Sequence, residues 1–223
     1  MRVVFDKNVV KRWGALLFAG AVIFALNGCV VRQMLKSDAY TAALNRWTST
    51  AKVYKDIEMR LSMTATFKSL EYRKAYVEEF ARKYQIDTES KDRLLAREIE
   101  THGAYNEFFV VAYTPLYQWN DLEQKKSVWK LYLMNKNGAK TLPIEITKVD
   151  HTEAFYIEFF PYLDHWSNAY VVKFPRYDST GAVSLGEEDA ELLRIVVTGP
   201  LGNGEATWKL DKKAPVNGGQ EEK

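Results

Sequence analysis

The spacing of hydrophobic positions changes several times along this chain, and each change marks an element. From residue 37, Tyr40, Ala43, Leu44, Trp47, Ala51 and Tyr54 recur three or four apart, the repeat of one helix face. Ser37 or Asp38 offers an oxygen to the unpaired N–H groups of the first turn, so the pattern predicts a helix over 37–55. The period then falls to two. Ile57, Met59, Leu61, Met63, Ala65 and Phe67 alternate with Glu58, Arg60, Ser62, Thr64, Thr66 and Lys68, as on a strand with one apolar and one wet face. A helix over 70–84 follows, carrying Tyr72, Tyr76, Phe80 and Tyr84. A second helix is capped by Asp87 or Thr88, turns Leu94, Leu95 and Ile99 inward, runs to about Thr101 and stops at Gly103.

Beyond Gly103 the pattern is that of β-structure. Residues 106–114 (NEFFVVAYT) are apolar on both faces, which predicts a central strand covered twice. Residues 127–134 and 140–149 flank Asn135-Lys136-Asn137-Gly138, a hairpin signal. Pro143 has no N–H to give, so its strand belongs at an edge or a bulge. Residues 154–160, 168–174, 192–198 and 205–210 complete the set, the last two flanking the turn Gly199–Gly204. The expected fold is mainly β with helices (α+β): an immunoglobulin-like sandwich of about eight strands over 57–210. It has an N-terminal helix and a two-helix insertion (70–103) after the first strand. That single domain, 37–210, precedes a polar tail over 211–223.

Composition narrows the class of partner. Of 223 residues, 31 are Lys or Arg and 29 Asp or Glu, too balanced for nucleic-acid binding through a basic field. The net positive excess sits in residues 1–28, where Arg2, Lys7, Lys11 and Arg12 face only Asp6. The remainder has 27 basic and 28 acidic residues.

The same leader carries a targeting signal. Behind its basic stretch, residues 13–26 (WGALLFAGAVIFAL) form 14 positions without a charge. A bilayer span needs about 20, and this shorter run has the layout of a secretory signal peptide. Leu26-Asn27-Gly28-Cys29 then resembles the lipobox of bacterial lipoproteins, with Cys29 the one cysteine of the chain. The resemblance implies cleavage before Cys29, acylation of its thiol and new amino group, and a lipidated tether over 29–36. Anchoring to a bilayer follows, without spanning it. Val30 in place of aspartate after the cysteine implies the outer membrane in preference to the inner.

No complete catalytic set stands out. Ser49-Thr50-Ala51-Lys52 has Ser-x-x-Lys spacing without its companion motifs. The three histidines are His102, four after Glu98; His151, between Asp150 and Glu153; and His165, after Asp164. Two acid–histidine turns meeting in one pocket would suit a lipid-anchored hydrolase or metal-dependent enzyme. Glu187, Glu188, Asp189 and Glu191 form an acidic loop. A third reading is a carrier of lipid or another small ligand. No cofactor is implied.

Aromatic residues gather in two loop segments, around Tyr117 and Trp119 and around Tyr162 and Trp166. Tyr and Trp dominate binding hot spots. The leading expectation is therefore a non-catalytic binding or scaffolding lipoprotein on the periplasmic side of the envelope. Its partners are the bilayer, through acylated Cys29, and another envelope protein, docked on Tyr117, Trp119, Tyr162 and Trp166.

Overall fold

The computed structural model describes residues 37–135, 137–177 and 192–210. Cys29 with its leader and tether, the acidic run from Glu187 to Glu191 and the tail 211–223 lie outside them. The described chain is α+β, with two antiparallel sheets and short helices. The elements are α1 (Asp38–Arg46), β1 (Thr48–Lys55), β2 (Glu58–Phe67), α2 (Leu70–Tyr84), α3 (Thr88–Ala104), β3 (Tyr105–Tyr113), β4 (Lys130–Asn135), β5 (Lys140–Thr141), β6 (Glu145–Val149), α4 (Ala154–Phe159), β7 (Asn168–Pro175), β8 (Leu192–Gly199) and β9 (Gly202–Lys209). One sheet has the order β1-β2-β3-β7-β6 and the other β5-β4-β8-β9.

Strand β3 is buried along most of its length, as its two apolar faces require. Its pairing with β2 and β7 puts Phe67, Phe108, Val172 and Phe174 on one face. There Phe108 packs on Phe174 and on Trp208 of β9, at ring separations of 5.7 and 5.3 Å. The opposite face meets helices: Phe109 stacks on Phe160 at 3.7 Å and on Tyr156 at 5.4 Å. The molecule therefore has three layers: the four-stranded sheet, the five-stranded sheet and the helices.

The sheets meet at β1 and β9. The Thr207 N–H donates to Ser49 Oγ at 2.9 Å, and Trp208 Nε1–H to the Trp47 carbonyl at 2.8 Å. Close approach needs glycine at two kinds of place. Gly202 turns the β8–β9 hairpin with φ +130°, and a Cβ on Gly199 would lie 2.3 Å from the Val128 carbonyl oxygen.

Several predicted elements are corrected. The helix predicted over 37–55 ends at Arg46, and Thr48 starts a strand. Ala51 and Val53 are its buried positions, two apart, so Ala51 and Tyr54 satisfied a helical count that the Thr-Ser-Thr segment does not continue. The alternating stretch is thus the second strand, and the two-helix insertion follows it. Its expected apolar face holds from Leu61 to Phe67, but Ile57 lies in the β1–β2 turn and is 96% exposed. Residues 154–160, read as a strand, instead include α4. Helical geometry stacks Phe155 on Phe159 and turns Phe159 towards Tyr40 and Tyr76. Residues 140–149 split at Pro143: β5 closes the hairpin with β4, and β6 crosses to the edge of the other sheet. On α3, Ile99 is exposed and Leu94 and Leu95 half-buried. Gly103 lies in its last turn and does not end it.

A charged cluster closes one end of the five-stranded sheet. The Arg73 side chain is 1% exposed and Glu107 7%. Arg73 donates Nε–H to the Lys68 carbonyl at 2.9 Å and pairs with Glu98 and Glu107, while Lys68 Nζ reaches Glu107 at 2.5 Å. Burial pushes the Glu107 carboxyl up, but the Lys68 ammonium and Arg73 guanidinium overcome it and hold it below the usual range.

A carboxyl depressed in the folded state contributes stability above its unfolded value, near pH 4.3, that is lost as pH falls through the folded one. Denaturant titrations of the protein should show that acid loss. In Glu107→Gln they should show about 3 kcal/mol less stability at neutral pH and a shallower fall in acid. Gly199→Ala should cost about 1–3 kcal/mol through the clash with Val128. Gly103→Ala, whose Cβ meets nothing within 4 Å, should gain up to about 1 kcal/mol from helix propensity. Calorimetric unfolding of the two variants checks both signs.

Candidate functional site

Antiparallel register gathers the aromatic loops at the sheet end opposite the charged cluster. Ala112, near the end of β3, pairs with Asn168 at the start of β7, and Val149, at the end of β6, pairs with Ala169. The chain leaving β3 carries Tyr117 and Trp119, the chain entering β7 carries Tyr162 and Trp166, and the chain leaving β6 carries His151. All therefore emerge on one edge of the fold.

Asn120 fixes the first loop. Its Nδ2–H donates to the Ala112 carbonyl at 2.8 Å, and its own carbonyl accepts from Asn168 Nδ2 at 2.6 Å and from the Tyr170 hydroxyl at 2.9 Å. Burial pushes the Tyr170 phenol well above its usual range and keeps it a neutral donor. Between this clamp and Tyr113, residues Tyr117–Trp119 form a single 3-10 turn. Trp119 is half-buried, whereas Tyr117 is 76% exposed with the Lys148 ammonium 6.0 Å from its ring centre.

In the second loop, Asp164 accepts the Trp166 N–H at 2.9 Å, and the Trp166 side chain is 79% exposed. Tyr162 behaves differently. Its hydroxyl bonds to Thr66 Oγ1 at 2.6 Å, and burial raises its pKa far above the ordinary phenol value. Of the four predicted binding aromatics, then, Tyr117 and Trp166 are largely exposed, Trp119 is half-buried, and Tyr162 joins the loop to the sheet.

Beside them lies a pocket of about 490 Å³ lined by His151, Ile157, Pro161, Leu163, Asp164 and His165. The two acid–histidine turns do share it. Asp150 is engaged by Thr152, whose N–H and hydroxyl bond to Oδ1 at 2.9 and 2.6 Å; these bonds hold its carboxyl below the usual range. Among the described residues no group of three His, Cys, Asp or Glu is placed to hold a metal ion. The other sequence candidates part company. Ser49 and Lys52 lie on strand β1, three residues apart and so on opposite faces, and Glu98 pairs with Arg73 while the His102 carbonyl accepts from Arg176 at 3.0 Å. Asn120 was missed by sequence reasoning, since one asparagine in a loop carries no periodic signal.

Asn120→Ala should cost about 1–3 kcal/mol, because it removes the amide that donates to the buried Ala112 carbonyl, and should raise amide exchange over 114–120. Tyr162→Phe should cost about 1 kcal/mol, readable in urea unfolding. No family model matches the chain, and no curated protein matches it. A solved structure described as a novel protein of unknown function from Burkholderia pseudomallei K96243 is similar to it, with 10% sequence identity, a TM-score of 0.36, and coverage of 75% of this chain and 80% of that one.

Proposed function

We propose that this chain is a bacterial envelope lipoprotein, anchored through acylated Cys29 on the periplasmic side of the outer membrane. Its domain serves as a non-catalytic binding module for another envelope protein. The observation that carries the binding role is the emergence of Tyr117 and Trp166, both largely exposed, from one end of the five-stranded sheet. Rigid strands ending in aromatic loops make a preformed docking face at low entropic cost. In this reading the two sheets form an immunoglobulin-like sandwich, a scaffold that offers its loops at the strand ends. The alternating burial along β4 and β8 supports it. The lipobox residues Leu26 to Cys29 support the anchor. Among the described residues no helix is long and apolar enough to cross a membrane.

Two measurements test the two halves separately. Intact mass of membrane-extracted protein should show loss of residues 1–28 and added acyl mass, both abolished in Cys29→Ala; an unmodified full-length mass sinks the acyl anchor and makes residues 13–31 the membrane attachment. A photo-crosslinker at position 166 or 117 should capture one discrete envelope protein in cells. The same probe at Glu89, on the exposed side of α3, should not. Equal capture from both places would remove the docking face.

A further inference from the structure

The pocket beside Trp166 is lined by side chains of different chemistry. Ile157, Pro161 and Leu163 are apolar, and Leu163 is almost fully buried. His151, Asp164 and His165 supply polar atoms to the same space. Its volume lies within the ordinary range for ligand pockets, about 300–1,000 Å³.

The polar groups select among occupants. A metal ion needs three or more ligands, which these residues do not assemble. An anionic head group, as on a fatty acid or a phosphate, would meet the Asp164 carboxylate, and like charges at short range disfavour each other. A neutral group that both donates and accepts fits better. Each neutral imidazole carries one N–H donor. The Asp164 carboxylate spends one oxygen on the Trp166 N–H and keeps acceptor capacity on the other. A backbone amide is such a group, with its N–H for the carboxylate and its C=O for an imidazole.

The geometry points to this pocket as the seat of an extended peptide segment of the partner protein, with one apolar side chain against Ile157, Pro161 and Leu163 and its backbone amide towards Asp164 and the two histidines. This rests on the reading of this end as a protein-docking face. Trp166, exposed and next in sequence to the lining His165, would cover the inserted side chain, as aromatic residues around a buried anchor do.

The test uses the full acylated chain in detergent micelles with labelled histidine rings, which give three signals. N-acetyl-phenylalaninamide is the probe, and hexanoate is the anionic comparison. The amide should move the His151 and His165 signals saturably and leave His102 unmoved, because His102 sits at the far end of the sheet against Arg176. In His165→Ala, an exposed position, its affinity should fall roughly three- to tenfold, the weight of one hydrogen bond, with unchanged thermal unfolding. Movement by hexanoate and not by the amide would replace the peptide with an amphipathic acid. Movement by neither would remove the pocket from recognition altogether. If position 166 still captures a protein in either case, the docking face stands and the pocket's part in it falls.

Discussion

The double burial of β3 is the constraint on which the rest of the fold depends. Phe108 and Phe109 are neighbours in sequence and point to opposite faces, and both are buried. A strand apolar on both sides must be covered twice, so one sheet alone could not satisfy this sequence. The four-stranded sheet covers Phe108 through Trp208, and α4 with the residue after it covers Phe109 through Tyr156 and Phe160. The position of α4 in turn sets where the loop from Pro161 to Ser167 leaves the helical layer. That aromatic loop therefore owes its place to a packing requirement in the middle of the molecule.

The two ends of the central sheet have been given different work. At one end Arg73, Glu98, Glu107 and Lys68 form a charged group with little exposure, where removal of one partner would strand another in a low-dielectric site. Loops at that end are held by charge. At the other end the polar contacts, Asn120 with Ala112, Asn168 and Tyr170, are neutral and bind one loop to the sheet edge. This leaves Tyr117 and Trp166 outward, with the pocket beside the loop that carries Trp166. Buried ion pairs are concentrated at one end, and exposed aromatic surface at the other.

Much of the fold was legible because period and burial are directly linked. The alternation from Leu61 to Phe67, the double-sided run of β3, the Ser37 and Asp87 caps and the turns at Gly138 and Gly202 all appear where local chemistry places them. The errors arose where one short pattern fits two structures. Residues 154–160 are apolar at nearly every position, and periodicity cannot separate a buried strand from a buried helix turn. Residues 37–55 carried a helical count across what is in fact a change of element. Pro143 was expected inside one edge strand and instead lies in the break between β5 and β6, and which sheet each side of it joined depended on partners distant in the chain.

The candidate site divides in the same way. The sequence by itself determined the ingredients: a lipobox-like leader, two aromatic loop segments, two acid–histidine turns, and no complete catalytic motif. Those are local properties, set by side chains within a few residues of one another. Only the tertiary structure decided that both aromatic segments and both histidines reach one end of the sheet, that Tyr162 turns its hydroxyl to Thr66, and that Asn120 clamps the loop carrying Tyr117. These depend on strand register between segments about 50 residues apart, and register follows from which faces the whole chain must bury.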